Sequence, residues 1–164
     1  MRDNQDISAE VDAPLAGYIE TLSMLERLHR LLLDVVKDEF ERLGIIDINS
    51  VQALLLFNIG DNVVTAGELK TRGYYQGSNV SYNLKKLVEV GYMHHERCEA
   101  DKRAVRVRLT DKGQAIRTQL VKLFTRHITH LTERHGIAPE QFTGFTTDMR
   151  ALEWFWTEQI RFIY

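Results

Sequence analysis

The chain has 164 residues, of which 44% are hydrophobic, and a formal net charge of −2, which suits one globular domain with an extension. It has no run of about 18 apolar residues and no apolar signal region, so neither a membrane-spanning helix nor secretion is expected. Its single cysteine cannot form an internal disulfide, so the sequence predicts a cytoplasmic protein.

Two helices are predicted in the first part of the chain. A long helix runs from Pro14 to Arg42, because apolar residues recur there every three or four positions, and Gly44 ends it. Asn49 is a suitable cap for a second helix, which ends at Gly60.

A helix-turn-helix pattern follows. Thr65 and Glu68 have the spacing of a capping box, which opens a short helix reaching about Lys70. The segment Tyr74–Gln76 lies between two glycines and is predicted to be a turn. In Ser78–Val90, apolar residues with a period of 3.6 occupy one side of a second helix, and polar residues occupy the other.

The polar side of this second helix has the groups that a DNA-reading helix needs. Asparagine and serine side chains can hydrogen-bond to base edges in the major groove, and lysine neutralises phosphate. The predicted DNA-binding residues of the helix are Ser78, Asn79, Ser81, Tyr82, Lys85 and Lys86. The alternative is an ordinary amphipathic surface helix whose polar side is only solvated.

A β-hairpin is predicted after Gly91. Its first strand is Tyr92–Cys98, and its second is Ala104–Leu109, in which apolar residues alternate with Arg106 and Arg108. We expect these two arginines to lie on a solvated outer face of the strand.

The hairpin tip carries adjacent cations. Lys102 and Arg103 can enter a minor groove or contact its phosphates, whereas Asp101 is expected to shape the tip by pairing with an arginine. From Glu68 to Gly113 the chain has ten Lys/Arg and six Asp/Glu, a local charge of +4 in an acidic protein. Such an asymmetry is typical of a DNA-facing lobe.

Two long helices are predicted after the hairpin. Thr110 caps the first, which ends near Gly136, and the last follows Pro139. The last helix carries more apolar surface than a monomer of this size easily covers. This surface predicts a C2 dimer through the first helix and the last two helices, and the alternative is an intramolecular bundle.

These segments resemble the MarR family of bacterial transcription regulators. The matching features are the glycine-serine start of the second helix, the two leucines within it, Gly91-Tyr92 after it, and two wing motifs. The wing motifs are Asp101-x-Arg103 and Leu109-Thr110-x-x-Gly113. Long helices on both sides extend the resemblance over nearly the whole chain. Within the family, Tyr74–Asn83 is similar to LdtR-type members, which are associated with cell-wall L,D-transpeptidase genes and osmotic stress.

The resemblance implies a mainly α fold with a small β-hairpin wing, in which long dimerisation helices flank a winged helix-turn-helix. The corresponding parts are residues 1–48 (N-terminal tail and dimerisation helix), 49–113 (DNA-binding domain) and 114–164 (C-terminal dimerisation helices). It further implies a homodimer that binds a pseudo-palindromic DNA operator, usually as a repressor. The resemblance also implies that a small aromatic or phenolic effector releases this homodimer from DNA.

Three features are candidates for sensing a signal. An effector pocket is expected between the DNA-binding lobe and the dimerisation helices, although each of its candidate residues also suits an ordinary core. These candidates are Tyr18, His29, Phe40 and Phe57.

The other two candidates are a metal site and a redox cysteine. His127 and His130 share a helix face near His135, and with Glu133 they have the residue types of a zinc site, but solvated histidines are the preferred interpretation. Cys98 follows Arg97, which can lower a thiol pKa, but an unreactive cysteine is preferred. No metal and no cofactor are therefore predicted.

Enzyme motifs are missing from the sequence. It has no phosphate-cradling glycine loop, no Gly-x-Ser-x-Gly and no His-Glu-x-x-His, so an enzyme is not predicted. The alternative to a DNA-binding regulator is a winged-helix scaffold for protein interactions that has no specific DNA binding.

Overall fold

The computed structural model describes residues 13–71, 77–97 and 105–163. The predicted turn at Tyr74–Gln76 and the predicted wing tip at Glu99–Arg103 lie outside the described residues. The chain divides into two compact units, Met1–Arg117 and Thr118–Tyr164.

The first unit begins with two helices, as the sequence predicts. Helix α1 is Ala13–Arg42 and helix α2 is Ser50–Ile59. Gly44 follows α1 with a φ of 69°, and Gly60 follows α2 with a φ of 58°. Positive φ angles of this size favour glycine. Asn49 caps α2 in a full capping box with Gln52.

The predicted helix-turn-helix is present in its described parts. Helix α3 is Ala66–Thr71 and helix α4 is Gly77–Glu89. The capping box before α3 forms as expected: the Thr65 backbone N–H donates to Glu68 Oε2 at 2.6 Å, and the Glu68 N–H donates to Thr65 Oγ1 at 3.1 Å.

The wing belongs to a three-stranded antiparallel sheet in the order β1-β3-β2. Strand β1 is Val64–Thr65, β2 is Met93–Arg97 and β3 is Val105–Leu109. The sequence predicts β2 and β3 but misses β1, which pairs Val64 with Val107. A strand of two residues is too short to show an alternating pattern, and Thr65 is also the cap of the next helix.

A common apolar core joins these elements. It is formed by side chains at most 7% exposed from α2, β1, α3, α4, both wing strands and the start of α5. They include Leu55, Leu56, Ile59, Val64, Leu69, Val80, Leu84, Leu87, Met93, Val107, Leu109 and Ile116. This core places α4 and the wing on one rigid support.

Two long helices complete the chain. Helix α5 is Asp111–His135 and helix α6 is Gln141–Ile163. Thr110 Oγ1 accepts the Gly113 N–H at 3.2 Å, which confirms the predicted cap of α5. Gly136, with a φ of 65°, follows the last residue of α5, as predicted.

The apolar stripe of α1 is largely exposed over its first two dozen residues. Leu15, Ile19 and Leu28 are each 47–49% exposed, whereas Val36 and Phe40 near the end of the helix are buried. The periodicity therefore predicts the helix correctly, and the fully buried apolar side chains of α1 lie in its last part.

Helix α6 exposes apolar side chains along its length. Between Gln141 and Arg161 no side chain of this helix is buried. The exposed apolar residues are Phe145, Met149, Trp154, Phe155, Trp156 and Ile160, at 36–64%.

Candidate nucleic-acid interface

Helix α4 has a buried side and a polar side, and the predicted DNA-binding residues whose side chains are described lie on the polar side. Asn79, Ser81, Lys85 and Lys86 are exposed, and Tyr82 is 65% exposed. Ser78 lies in the first turn of α4, but its side chain is outside the description. The helix thus presents hydrogen-bonding groups and cations together on one surface.

The two lysines of α4 share a carboxylate partner. Lys85 Nζ lies 4.0 Å and Lys86 Nζ 3.6 Å from the Glu89 carboxylate, and all three side chains are at least 49% exposed. Exposed ion pairs of this kind contribute little free energy. Both ammonium groups can therefore exchange Glu89 for a phosphate without a large loss.

Asn83 is a functional candidate that sequence reasoning missed. Its side chain is only 9% exposed, and its Oδ1 accepts a hydrogen bond from Gln52 Nε2 of α2 at 3.2 Å. The available signal was its spacing, because Asn83 lies three residues after Val80 and four before Leu87, both on the apolar side.

The junction between α4 and α5 explains the Leu-Thr-x-x-Gly motif. The Thr110 hydroxyl donates to the Gly91 carbonyl at 2.7 Å, and the Thr110 N–H donates to the Tyr92 carbonyl at 3.0 Å. A Cβ at Gly113 would overlap that same Tyr92 carbonyl oxygen, so the close approach requires glycine.

A polar cluster joins the α1–α2 loop to the wing and to α5. Asp47 accepts hydrogen bonds from the Tyr92 hydroxyl at 2.5 Å and from Lys112 Nζ at 2.7 Å. Lys112 Nζ also lies 4.0 Å from the centroid of the Tyr92 ring. The hydrogen bonds from Lys112 and Tyr92 lower the pKa of the Asp47 carboxyl, and burial together with Asp47 raises the pKa of the Tyr92 phenol.

The outer face of the wing sheet is polar, as predicted. Arg106 and Arg108 are exposed, and they pair across the ladder with Glu96 and His94, respectively. Arg108 Nε donates to His94 Nε2 at 2.7 Å and lies 3.5 Å from Glu96 Oε1. Arg108 thus has partners within the sheet, which agrees with its assignment to a solvated strand face.

The wing tip residues lie outside the described part of the chain. The predicted DNA contacts Lys102 and Arg103 stay predictions, as do the role of Asp101 in shaping the tip and the assignment of Cys98 as an unreactive cysteine.

The four effector-pocket candidates differ in their surroundings. Phe40 is 2% exposed and Phe57 is half-buried, whereas Tyr18 is 38% exposed and His29 is exposed. A cleft of about 350 Å³ lies where α1 ends and α2 begins, and of the four candidates only Phe40 lines it. The lining residues are Lys37, Phe40, Glu41, Ile45, Ile46, Ile48, Asn49 and Ser50.

The histidines of α5 do not form a metal cluster in the described residues. Across residues 13–71, 77–97 and 105–163, no group of three or more His, Cys, Asp or Glu side chains is placed to hold a metal ion. His130 and His135 are exposed, and His127 lies against Phe124 with ring centroids 6.2 Å apart.

In residues 13–71, 77–97 and 105–163, no helix is long and apolar enough to cross a bilayer.

Comparison with known proteins places this geometry in context. Residues 48–113 match the family described as "Winged helix DNA-binding domain". The chain is also 36% identical over 122 residues to the exopolysaccharide II synthesis transcriptional activator ExpG of Rhizobium meliloti. The match covers 73% of this chain and 63% of the relative, so it spans less than two thirds of the relative's length.

Solved structures share the fold. A MarR transcriptional regulator from Methanosarcina mazei superimposes with a TM-score of 0.66 at 21% identity, over 87% of this chain and 98% of the other. FabT of Streptococcus pneumoniae, solved in complex with DNA, superimposes with a TM-score of 0.64 at 22% identity. The match covers 86% of this chain and 98% of FabT. The Methanosarcina mazei protein is named as a transcriptional regulator, and ExpG is named as a transcriptional activator. Residues 48–113 therefore match a winged-helix domain model, and the chain shares the fold of the solved MarR-type regulator.

Proposed function

We propose that this protein is a sequence-specific DNA-binding transcription regulator that binds a pseudo-palindromic operator as a homodimer. The observation that carries the proposal is the division of α4 into a buried side and an exposed side that holds Asn79, Tyr82 and two lysines. This division lies inside the match to the winged helix DNA-binding domain. FabT, which has the same fold, is described in complex with DNA.

The roles of the contact residues follow from their chemistry. Ser78, Asn79, Ser81 and Tyr82 read base edges in the major groove, since they offer short donors and acceptors near the start of α4. The cations Lys85, Lys86, Lys102 and Arg103 neutralise phosphates in α4 and the wing. Asp101 shapes the wing tip.

The dimer uses the helices that flank the DNA-binding domain. Residues 1–48 and 114–164 contain α1, most of α5 and all of α6, and the exposed apolar side chains of α1 and α6 support their role as the interface. Two copies related by a twofold axis place two α4 helices on successive half-sites, which one DNA turn separates.

An effector weakens binding by changing the spacing of the two α4 helices. A small aromatic or phenolic molecule that fits one spacing better shifts the population toward it. Tyr18, His29, Phe40 and Phe57 remain the proposed contacts. The cleft beside Phe40 supports this assignment for Phe40 only.

The sign of regulation and the target genes are finer proposals. Repression and a role in cell-wall or stress genes come from the resemblance of the sequence. The relative that is 36% identical is named as a transcriptional activator of exopolysaccharide II synthesis. A promoter–reporter fusion in cells with and without the protein distinguishes repression from activation.

The direct test is fluorescence anisotropy with a duplex from the upstream region of the protein's own gene and with a scrambled duplex, at two salt concentrations. We expect tighter, salt-dependent binding to the native duplex. Tyr82→Ala or Asn79→Ala should reduce the preference for the native duplex by about 1–3 kcal/mol, the contribution of one base contact.

Arg103→Ala is the matched control, because a phosphate contact carries no sequence information. It should weaken binding to both duplexes and reduce the salt slope by about one unit. Equal losses on both duplexes for Asn79→Ala would contradict base reading by that residue. If the wild-type protein binds neither duplex, the scaffold hypothesis replaces DNA binding.

A further inference from the structure

The buried side of α4 contains one amide among apolar side chains. Val80, Leu84 and Leu87 are at most 6% exposed, and Asn83 lies between them at 9%. Its Oδ1 accepts the Gln52 Nε2 hydrogen bond, and Gln52 is itself only 6% exposed. Two buried amides therefore connect α2 to the helix that carries the proposed base-reading residues.

The amide of Gln52 is held at its other end by the first turn of α2. Its Oε1 accepts the Asn49 backbone N–H at 3.2 Å, and its own backbone N–H donates to Asn49 Oδ1 at 2.9 Å. Ser50, which follows Asn49, donates its hydroxyl to the Leu33 carbonyl of α1 at 2.7 Å, so the start of α2 is also held by α1. Because the contacts with Asn49 hold the Gln52 side chain, its Nε2 has a set direction toward α4.

Apolar contacts and hydrogen bonds constrain a helix differently. Side chains such as Val80 and Leu87 gain free energy from burial that is nearly independent of direction, so they tolerate small rotations of α4 about its axis. The Gln52–Asn83 hydrogen bond requires a particular distance and angle, and a buried amide that loses its partner also loses its solvation without compensation.

The exposed residues of α4 would follow any such rotation. Tyr82 is adjacent to Asn83 in the chain, and Asn79 lies one turn earlier on the exposed side. We propose that Gln52 and Asn83 are positioning residues, which set the rotation of α4 and through it the base preference of the protein. The DNA part of this inference rests on the proposed function.

The test compares variants of the full chain that separate the hydrogen bond from packing. Asn83→Leu keeps the branching and the number of side-chain heavy atoms but removes the acceptor, and Asn83→Asp keeps an acceptor oxygen. Leu84→Met is the matched control, since it changes a buried neighbour on the same helix without altering the amide pair. Gln52→Met removes the donor from the other side, in case Asn83→Leu does not fold.

The readout is the ratio of the dissociation constants for scrambled and native duplexes. Asn83→Leu and Gln52→Met should lower this ratio about tenfold, the order of one base contact, while binding to the scrambled duplex stays unchanged. Asn83→Asp and Leu84→Met should keep the wild-type ratio. A folded Asn83→Leu protein with the wild-type ratio, or with equal losses on both duplexes, would overturn the proposal.

A crystal structure of Asn83→Leu provides a readout that does not depend on DNA. After superposition of α2 and the wing strands, α4 should be rotated relative to the wild-type helix, and an unrotated helix would overturn the positioning role. If the wild-type protein binds all duplexes equally or binds none, the proposed function fails. The comparison of the wild-type and Asn83→Leu structures then decides the positioning role by itself.

Discussion

The winged-helix region, residues 48–113, and α6 have similar apolar patterns, but the apolar side chains are buried in the first and exposed in the second. In α2 and α4, residues such as Leu55, Val80 and Leu87 are completely buried by other parts of the same unit. In α6, Met149 and Ile160 repeat at helical spacing but are 47% and 64% exposed. The first region completes its core within its own unit, whereas the apolar side chains of α6 stay exposed in the part of the chain that the structure describes.

The difference shows that an amphipathic pattern predicts a helix but does not specify what covers it. The winged-helix region places three helices and a sheet around one core, so each apolar side finds a neighbour. The exposed side of α6 has the composition of an interface, and its cover in our proposal is a second copy of the chain.

The largest expected effect comes from breaking that proposed interface. Met149→Glu places a charge in the apolar stripe of α6 and should convert the dimer to a monomer in light scattering. Operator affinity should fall about 10²–10⁴-fold, because the second half-site contact is no longer intramolecular. Thr147→Glu adds the same charge about 200° around the helix and should leave the dimer intact. A dimeric Met149→Glu protein would refute this interface.

The next largest effect concerns the core of the winged-helix region. Leu55→Ala removes a fully buried side chain and should lower the free energy of unfolding by about 2–5 kcal/mol in urea titrations. In the monomeric Met149→Glu background, Ile160→Ala should change stability by less than about 0.5 kcal/mol. Similar losses for both substitutions would show that α6 is covered within its own chain.

The smallest effect concerns the polar cluster at Asp47. Because its carboxyl pKa lies below the ordinary value in the folded state, its contribution to stability is present above the unfolded pKa of about 3.9 and is lost as the pH falls below it. The carboxylate is 44% exposed, so we expect at most about 1 kcal/mol.

The measurement is the free energy of unfolding of Asp47→Asn between about pH 5 and pH 3, compared with wild type. The variant should show a shallower loss of stability over this range, also in the Met149→Glu background, because the cluster lies within one chain. An unchanged slope would show that the Asp47 contacts with Lys112 and Tyr92 do not contribute.

Local signals in the sequence predicted most helix ends. The Asn49 cap, the capping box at Thr65, the Thr110 cap and the glycines after α1 and α5 all act through neighbours within a few residues. The exposed side of α4 was also predictable, since helical periodicity separates Tyr82 from Val80.

Contacts distant in sequence were not predictable in this way. The strand at Val64 is recognised by its pairing with Val107, and the spacing that puts Asn83 on the apolar side of α4 does not reveal its partner Gln52, 31 positions earlier. The Asp47 cluster likewise joins residues 45 and 65 positions apart. None of these pairings leaves a periodic trace in the chain.

The sequence by itself determined the order of the elements, their caps and the winged helix-turn-helix pattern, because these depend on propensity, spacing and local hydrogen bonds. The tertiary structure decided which polar side chains are buried and which apolar stripes stay exposed. Those outcomes depend on the surface that each helix meets in the folded unit, and a helix carries the same pattern whether or not that surface is present.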